Sequence, residues 1–233
     1  CTTSLAPTAN CTVVATFSPT GAGIANSTIQ INYNNGTGSV SSSRTVQGTG
    51  QNPALITISE VNPYDFATQA TGSSTTHTFT LTNTGAITAT AMTEVGLGLP
   101  YRLFGAVYPG TGGTCTSTLA PLASCTVVVE FAPTLVGLQS DSLDISYANG
   151  VTTVISSRTL QGTGATPANL TITDGPTFDW QLLLTGYTEE HTFTIENTGG
   201  TVSTSMGGAA LVAPYSFKGG SYPGVGGSCA ATL

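Results

Sequence analysis

Cysteines stand at positions 1, 115 and 229, spaced by 114 residues each time, and the residues between them keep the same step. Arg44 and Arg158, His77 and His191, Asn83 and Asn197, Tyr108 and Tyr222 are all 114 apart, with no insertion or deletion between the copies. Two periods and five further residues account for the whole 233. A fixed period restricts a chain more than composition does, because each copy must fold into the same unit. Solenoid repeats that cannot fold alone have periods of about 20–50 residues. A step of 114 instead suits a complete domain, typically about 100–150 residues.

The local pattern within each period is β. In "THTFTLTN" (76–83) His77, Phe79 and Leu81 point one way while Thr78, Thr80 and Thr82 point the other, and "EHTFTIEN" (190–197) repeats the alternation. "CTVVVEFAP" (125–133) is a more apolar strand ended by Pro133. "SLDISYANGVTTVISSRTLQGTG" (142–164) is a hairpin whose Asn149-Gly150 pair predicts a type I′ turn, with its twin at 28–50 turning at Asn35-Gly36. No helical periodicity with capping signals is present. About seven short strands per period, separated by Gly, Pro and Asn turns, predict an all-β chain of tandem immunoglobulin-like antiparallel β-sandwich domains. The "GTG" runs at 48–50 and 162–164 close a unit. They divide the chain into the closing part of a unit (1–50), a complete unit (51–164) and the opening part of a third (165–233).

Net charge is −7, and the four basic residues, Arg44, Arg102, Arg158 and Lys218, are scattered singly. A nucleic-acid partner would need several cations on one face to neutralise phosphates, so that class is excluded. No apolar run approaches the roughly 18 residues of a membrane-spanning helix. Few Lys and Arg also leave few tryptic sites, a trait suited to life outside a cell.

Cys1 with Cys11, and Cys115 with Cys125, lie ten positions apart at the base of a Pro-containing loop. Each pair is expected to close a short disulfide loop, since a structural zinc site needs four clustered ligands and one unit offers two Cys and a distant His. Disulfides in turn point to an oxidising, extracellular or cell-surface location. Cys229 has no mate ten positions on and is expected to pair beyond the segment.

The run C-x-x-x-L-A-P-x-x-x-C-T-V-V-x-x-F-x-P-T, followed by a hairpin ending in "QGTG", is carried by Cys115, Leu119, Ala120, Pro121, Cys125, Phe131, Pro133 and Gln161 to Gly164, and again by Cys1 to Thr20 and Gln47 to Gly50. It resembles the choice-of-anchor D repeats of bacterial secreted and surface proteins, related to the ASPM/SPD-2/Hydin type of immunoglobulin-like domain. That resemblance implies a tandem extracellular sandwich array with a structural or adhesive role, and it supplies no catalytic residues.

Residue patterns that would carry chemistry are sparse. No nucleophile elbow surrounds any Ser, so the chain is read as non-enzymatic, without a cofactor. Glu189-Glu190 face Thr75-Thr76 in the other copy and read as a solvated strand end. Glu60 and Asp65, matched by Asp174 and Asp179, are the acids that recur near the unit boundaries. They are the calcium candidates, against a plainer role in solvating the loop, because calcium needs about six to eight oxygens. Phe66 and Trp180 occupy matched positions, as do Tyr108 and Tyr222 in "YPG" before each cysteine loop. They suit equally the packing of one domain on the next and a recognition patch for glycan or protein. Asn26 and Asn169 begin glycosylation sequons.

The end segments frame the functional expectation. Residues 1–50 hold only later strands and 165–233 only earlier ones, so each half leaves an apolar face and a sheet edge uncovered. Together they add up to one sandwich. The expected partners are continuing repeats or other copies of the same protein, and the expected role is a segment of a repetitive extracellular filament or surface stalk. The rival expectation is an adhesin-type binding module.

Overall fold

The alternation along residues 76–83 builds the strand that backs the core of one sheet, with Phe79, Leu81 and Asn83 fully buried and the intervening threonines turned outward. The computed structural model describes residues 1 and 3–229. Thr2 and residues 230–233, the last of the third segment, lie outside the described residues.

A hairpin of β1 (Gly23–Asn34) and β2 (Ser39–Gly50) comes first. Eight strands then form the sandwich: β3 (Ile56–Ile58), β4 (Tyr64–Ala70), β5 (Thr75–Asn83), β6 (Thr90–Glu94), β7 (Tyr101–Leu103), β8 (Ser124–Phe131), β9 (Gly137–Ala148) and β10 (Thr153–Ala165). A short pair, β11 (Leu170–Ile172) and β12 (Ile195–Asn197), follows. The described residues contain no helix.

The sandwich consists of two four-stranded sheets, ordered β3-β5-β8-β7 and β4-β10-β9-β6. Inward residues of both meet in the core, among them Phe79, Val127, Val129 and Phe131 from the first and Leu143, Ile145, Tyr147 and Leu160 from the second. Burial of such side chains, about 1.5–3 kcal/mol each, is the main stabilising term.

Two expectations are corrected. The pairing is not wholly antiparallel, because β4 runs parallel to β10. After β3 the chain changes sheets across residues 59–63 without reversing direction, so β4 travels the same way as the last strand. The hairpin turns are also not two-residue type I′ turns, which need positive φ at both central residues. Gly150 and Gly36 have positive φ, whereas Asn149 and Asn35 do not. A four-residue loop takes their place, in which the Asn149 side-chain oxygen accepts the amides of Val151 and Thr152, both at 2.9 Å. Asn35 does the same for Thr37 and Gly38.

The closing "QGTG" has a packing reason. A Cβ on Gly162 would stand 2.7 Å from the Phe131 ring, and one on Gly164 would run into the Leu135 carbonyl oxygen. The last strand must lie this close to its neighbours for the sheets to close.

Both predicted disulfides are formed, Cys1–Cys11 and Cys115–Cys125. The second is buried and ties the loop before β8 into the core. Closing a loop of this size contributes ~3 kcal/mol in the chain-entropy account.

Near the other end of β8, Glu130 is buried and accepts a hydrogen bond from Arg102 Nε at 2.6 Å, across the register of β7 and β8. That bond, with another from Ser74, holds the Glu130 carboxyl below its ordinary 4.5. A carboxyl depressed in the folded state contributes stability that is present above its unfolded value and lost as pH falls through the folded one. Glu94, raised chiefly by burial, acts in the opposite sense. Glu130→Gln is therefore expected to cost roughly 1 kcal/mol near neutrality and to flatten the loss of stability on acidification. Urea unfolding at two pH values checks it, and an unchanged acid limb would remove the pair from the account.

Candidate functional site

Asn83 ends β5 pointing inward, where a purely apolar residue would be expected. Its side-chain oxygen accepts the amides of Leu55 (3.2 Å) and Gly85 (3.0 Å), and its nitrogen donates to the carbonyls of Ile87 (2.8 Å) and Leu119 (2.9 Å). One side chain thus fastens the start of the unit to the loop after β5 and to the cysteine loop. Asn197 repeats this with Asn169, Gly199 and Thr201. The signal was present in the sequence as an Asn in phase with Phe79 and Leu81, although Asn-Thr-Gly reads first as a turn.

A second constellation repeats in the aromatic residues. Tyr64 stacks on His77 with centroids 4.0 Å apart, and Phe178 stacks on His191 at 3.9 Å. Phe66 and Trp180 stand edge-on to these rings, at 5.0 and 5.2 Å from Tyr64 and Phe178. The complete unit closes this cluster, because Phe66 also meets Tyr101 and Phe131, each at 5.7 Å. Phe66 is consequently a core residue of its own domain, whereas the sequence suited it equally to packing between domains and to a recognition patch. In the third segment Trp180 stays half-buried, and a cavity of about 360 Å³ opens beside it, lined in part by Phe178, Asp179 and His191.

Tyr108 packs against the core from its loop, and burial pushes its hydroxyl up to about 12. Tyr222 stands edge-on to Phe217 at 5.7 Å, and Cys229 is not in a disulfide. The structure therefore buries Phe66 and leaves Tyr108, Trp180 and Tyr222 partly exposed, Tyr108 packed against the core.

The acid residues are engaged locally. Glu60 Oε1 lies 3.4 Å from His77 Nε2 without hydrogen-bond geometry, and Asp174 Oδ2 lies 3.1 Å from His191 Nε2. Asp65 accepts from Ala67 N at 2.7 Å and from Gln161 Nε2 at 3.0 Å, and Asp179 accepts from Gln181 N. Glu190 pairs with Lys218. Among the described residues no group of three or more His, Cys, Asp or Glu side chains is placed to hold a metal ion.

What the molecule does present is two open half-units. Residues 1–50 correspond to 115–164, and 165–229 to 51–115. Equivalent positions differ sharply in burial: Phe131 is 0% exposed and Phe17 51%, Val127 0% and Val13 56%, Tyr101 0% and Tyr215 56%. The strands break along the same line. In the sandwich the β3–β5 and β9–β10 ladders each lie within one half, whereas β5–β8, β7–β8, β4–β10 and β6–β9 join the early half to the late one. Among the described residues of the end segments only counterparts of the first two form. β11–β12 repeats β3–β5, and β1–β2 repeats β9–β10, in the same register after the 114-residue shift. Residues 10–17, 178–184 and 215–217, the counterparts of β8, β4 and β7, carry no strand. β12 keeps three residues where β5 has nine, and those three are the ones backed by β11. Short isolated strand pairs are marginal in water, so what is missing is the partner half.

Among curated proteins, none matches the sequence. The solved structure of the Vibrio cholerae VesB protease is similar at 16% identity and a TM-score of 0.38, over 46% of this chain and 31% of that one, so the chain spans less than a third of it. The secreted serine protease VesC from Vibrio cholerae is similar at 21% identity and a TM-score of 0.33, over 54% of this chain and 29% of that one. PapD-like domain 7 of human CEP192 is similar at 14% identity and a TM-score of 0.35, over 49% of this chain and 88% of that one. Residues 57–163 match the family described as HYDIN/CFA65/VesB-like, Ig-like domain. The sandwich at the centre of this chain is an immunoglobulin-like domain.

Proposed function

We propose that this chain is a structural, non-enzymatic segment of a repetitive extracellular filament or cell-surface stalk, of the choice-of-anchor D kind that its cysteine-loop and "QGTG" motifs resemble. The observation that carries the reading is the burial contrast between copies. The same residues that form a dry core at 115–164 lie open at 1–50, and a soluble protein rarely leaves so much contiguous apolar surface uncovered. Serial sandwiches cover it, each half-unit closing against its complement. The two disulfides support an oxidising, extracellular setting. The binding-module alternative loses one of its four aromatic anchors, since Phe66 is buried.

The length of one link follows from β10. Ala54 N donates to Asn149 O at 3.0 Å, so the chain enters the sandwich beside the β9–β10 turn. It leaves at Ala165, the far end of a 13-residue strand, which at about 3.3 Å per residue lies ~40 Å away. Electron images of the native material are expected to show a regular axial repeat of about 45 Å, one strand length plus a short linker. Dispersed particles without any axial periodicity would end the filament reading.

A further inference from the structure

The join between the central sandwich and the third segment has no spare residue. We infer that it is a fixed joint, in which the 198–201 turn of one unit bears on the strand end of the unit before it and sets the angle between them. The joint is a property of the chain itself, whether or not its units go on to form a filament.

Hydrogen bonds place the changeover between two successive carbonyls. Ala165 closes the β4–β10 ladder opposite Ala70, and its carbonyl accepts Thr71 N at 2.8 Å, so that peptide plane belongs to the central sandwich. The next carbonyl, of Thr166, accepts Gly200 N at 3.1 Å and the Thr201 hydroxyl at 3.3 Å, so its plane belongs to the third segment. Peptide planes are rigid, and the swivel between these two is φ and ψ of Thr166 alone. Pro167 follows directly. A residue before proline is held out of the helical region and in the extended one, so the swivel is left with a single basin.

The turn narrows that basin further. A Cβ on Gly200 would stand 3.2 Å from the Ala165 Cβ and 3.1 Å from Thr166 N, and one on Gly199 would run into the Pro167 carbonyl oxygen. Main chain of the turn thus lies directly on the strand end. It is braced there by Asn197, whose side-chain oxygen accepts the amides of Asn169 and Gly199. Thr198 adds a second brace, donating its amide to Asn169 O at 2.8 Å and accepting from Asn169 Nδ2 at 2.9 Å. A swing about Thr166 would have to carry this braced turn through Ala165.

The preceding join has the same parts. Gly50 closes the β1–β2 ladder opposite Gly23, Asn52 stands in the place of Thr166 with Pro53 behind it, and the Asn52 carbonyl accepts Ala86 N at 3.2 Å. Gly85 presses on the Pro53 carbonyl as Gly199 does on that of Pro167. Joints built alike repeat one rotation and one translation, and a constant step per repeat gives a tandem array a regular superhelical course.

Pulsed electron spin resonance on the 233-residue chain with Cys229→Ser reads the joint. Spin labels at Ser157→Cys on β10 and Thr171→Cys on β11, both exposed positions, are fourteen residues apart. Extended chain of that length spans at most about 46 Å, within reach of the measurement. A single narrow distance peak is expected. Inserting Gly-Ser-Gly between Ala165 and Thr166 is expected to widen it at least about two-fold, since a flexible three-residue linker adds ~10 Å of reach. Gly200→Val, which wedges a branched side chain against Ala165, is expected to move the peak. Near-ultraviolet circular dichroism of the central sandwich, whose core none of these changes touches, is the folding control. A native joint whose distances spread as widely as those of the insertion overturns the inference. So does an unmoved peak in Gly200→Val, because the turn would then not bear on the strand end.

Discussion

Asn83→Ala is expected to destabilise the sandwich by about 3–5 kcal/mol, a large part of the margin by which a domain of this size stays folded. The side chain is fully buried and makes four hydrogen bonds, all to main-chain groups. Its removal leaves two amides and two carbonyls without partners in a dry site, and each stranded group costs about 1 kcal/mol or more. Asn83→Leu fills the volume and does not rescue, because the penalty comes from the stranded backbone. Asn83→Asp keeps the acceptor and loses the donors, so it is expected to be worst at neutral pH, where the carboxylate is charged. Urea unfolding of the three variants gives the ranking, and a loss below ~1 kcal/mol for Asn83→Ala would show that water replaces the side chain.

The second large effect is a contrast between repeat mates. Phe131→Ala is expected to cost about 3–5 kcal/mol, since a fully buried ring is lost and the space is fixed by close-packed neighbours. Those neighbours are Tyr101, stacked at 4.8 Å, and the main chain at Gly162. Phe17→Ala, the same change one period earlier, is expected to alter the unfolding of the single chain by less than about 0.5 kcal/mol, because a half-exposed ring on an unclosed half contributes little. Equal losses for the two variants in dilute monomer would mean that residues 1–50 are already part of a closed core.

These residues also show what could be read from the sequence and what could not. The alternation of His77, Phe79 and Leu81, the apolar run of β8 and the paired hairpins were legible because a half-buried antiparallel strand writes its period directly into residue type. The 114-residue step made the unit and its open halves legible as well. β4 was not. "YDFATQA" has polar residues on both faces, Ala67 takes a positive φ, and the register with β10 slips between Gln161 and Thr163. No period-2 signal survives such a slip, so Phe66 beside Asp65 looked like a loop aromatic, although it sits in the core. The parallel partner is likewise a long-range fact, ninety or more residues away, that no local pattern encodes. Asn83 was hidden for a different reason: its chemistry satisfies backbone groups brought together only by the finished fold.

The parallel pairing of β4 with β10 has a consequence for a link under tension. The chain enters near the start of β10 and leaves at its end, so a pull on the two termini draws β4 and β10 in opposite directions along their common axis. The load falls in shear on the five residue pairs from Leu160–Tyr64 to Ala165–Ala70 at once, where an antiparallel edge peeled from one end would yield bond by bond. Force resistance in such a chain would reside in this short ladder, at the seam where the first half of each domain meets its last strand.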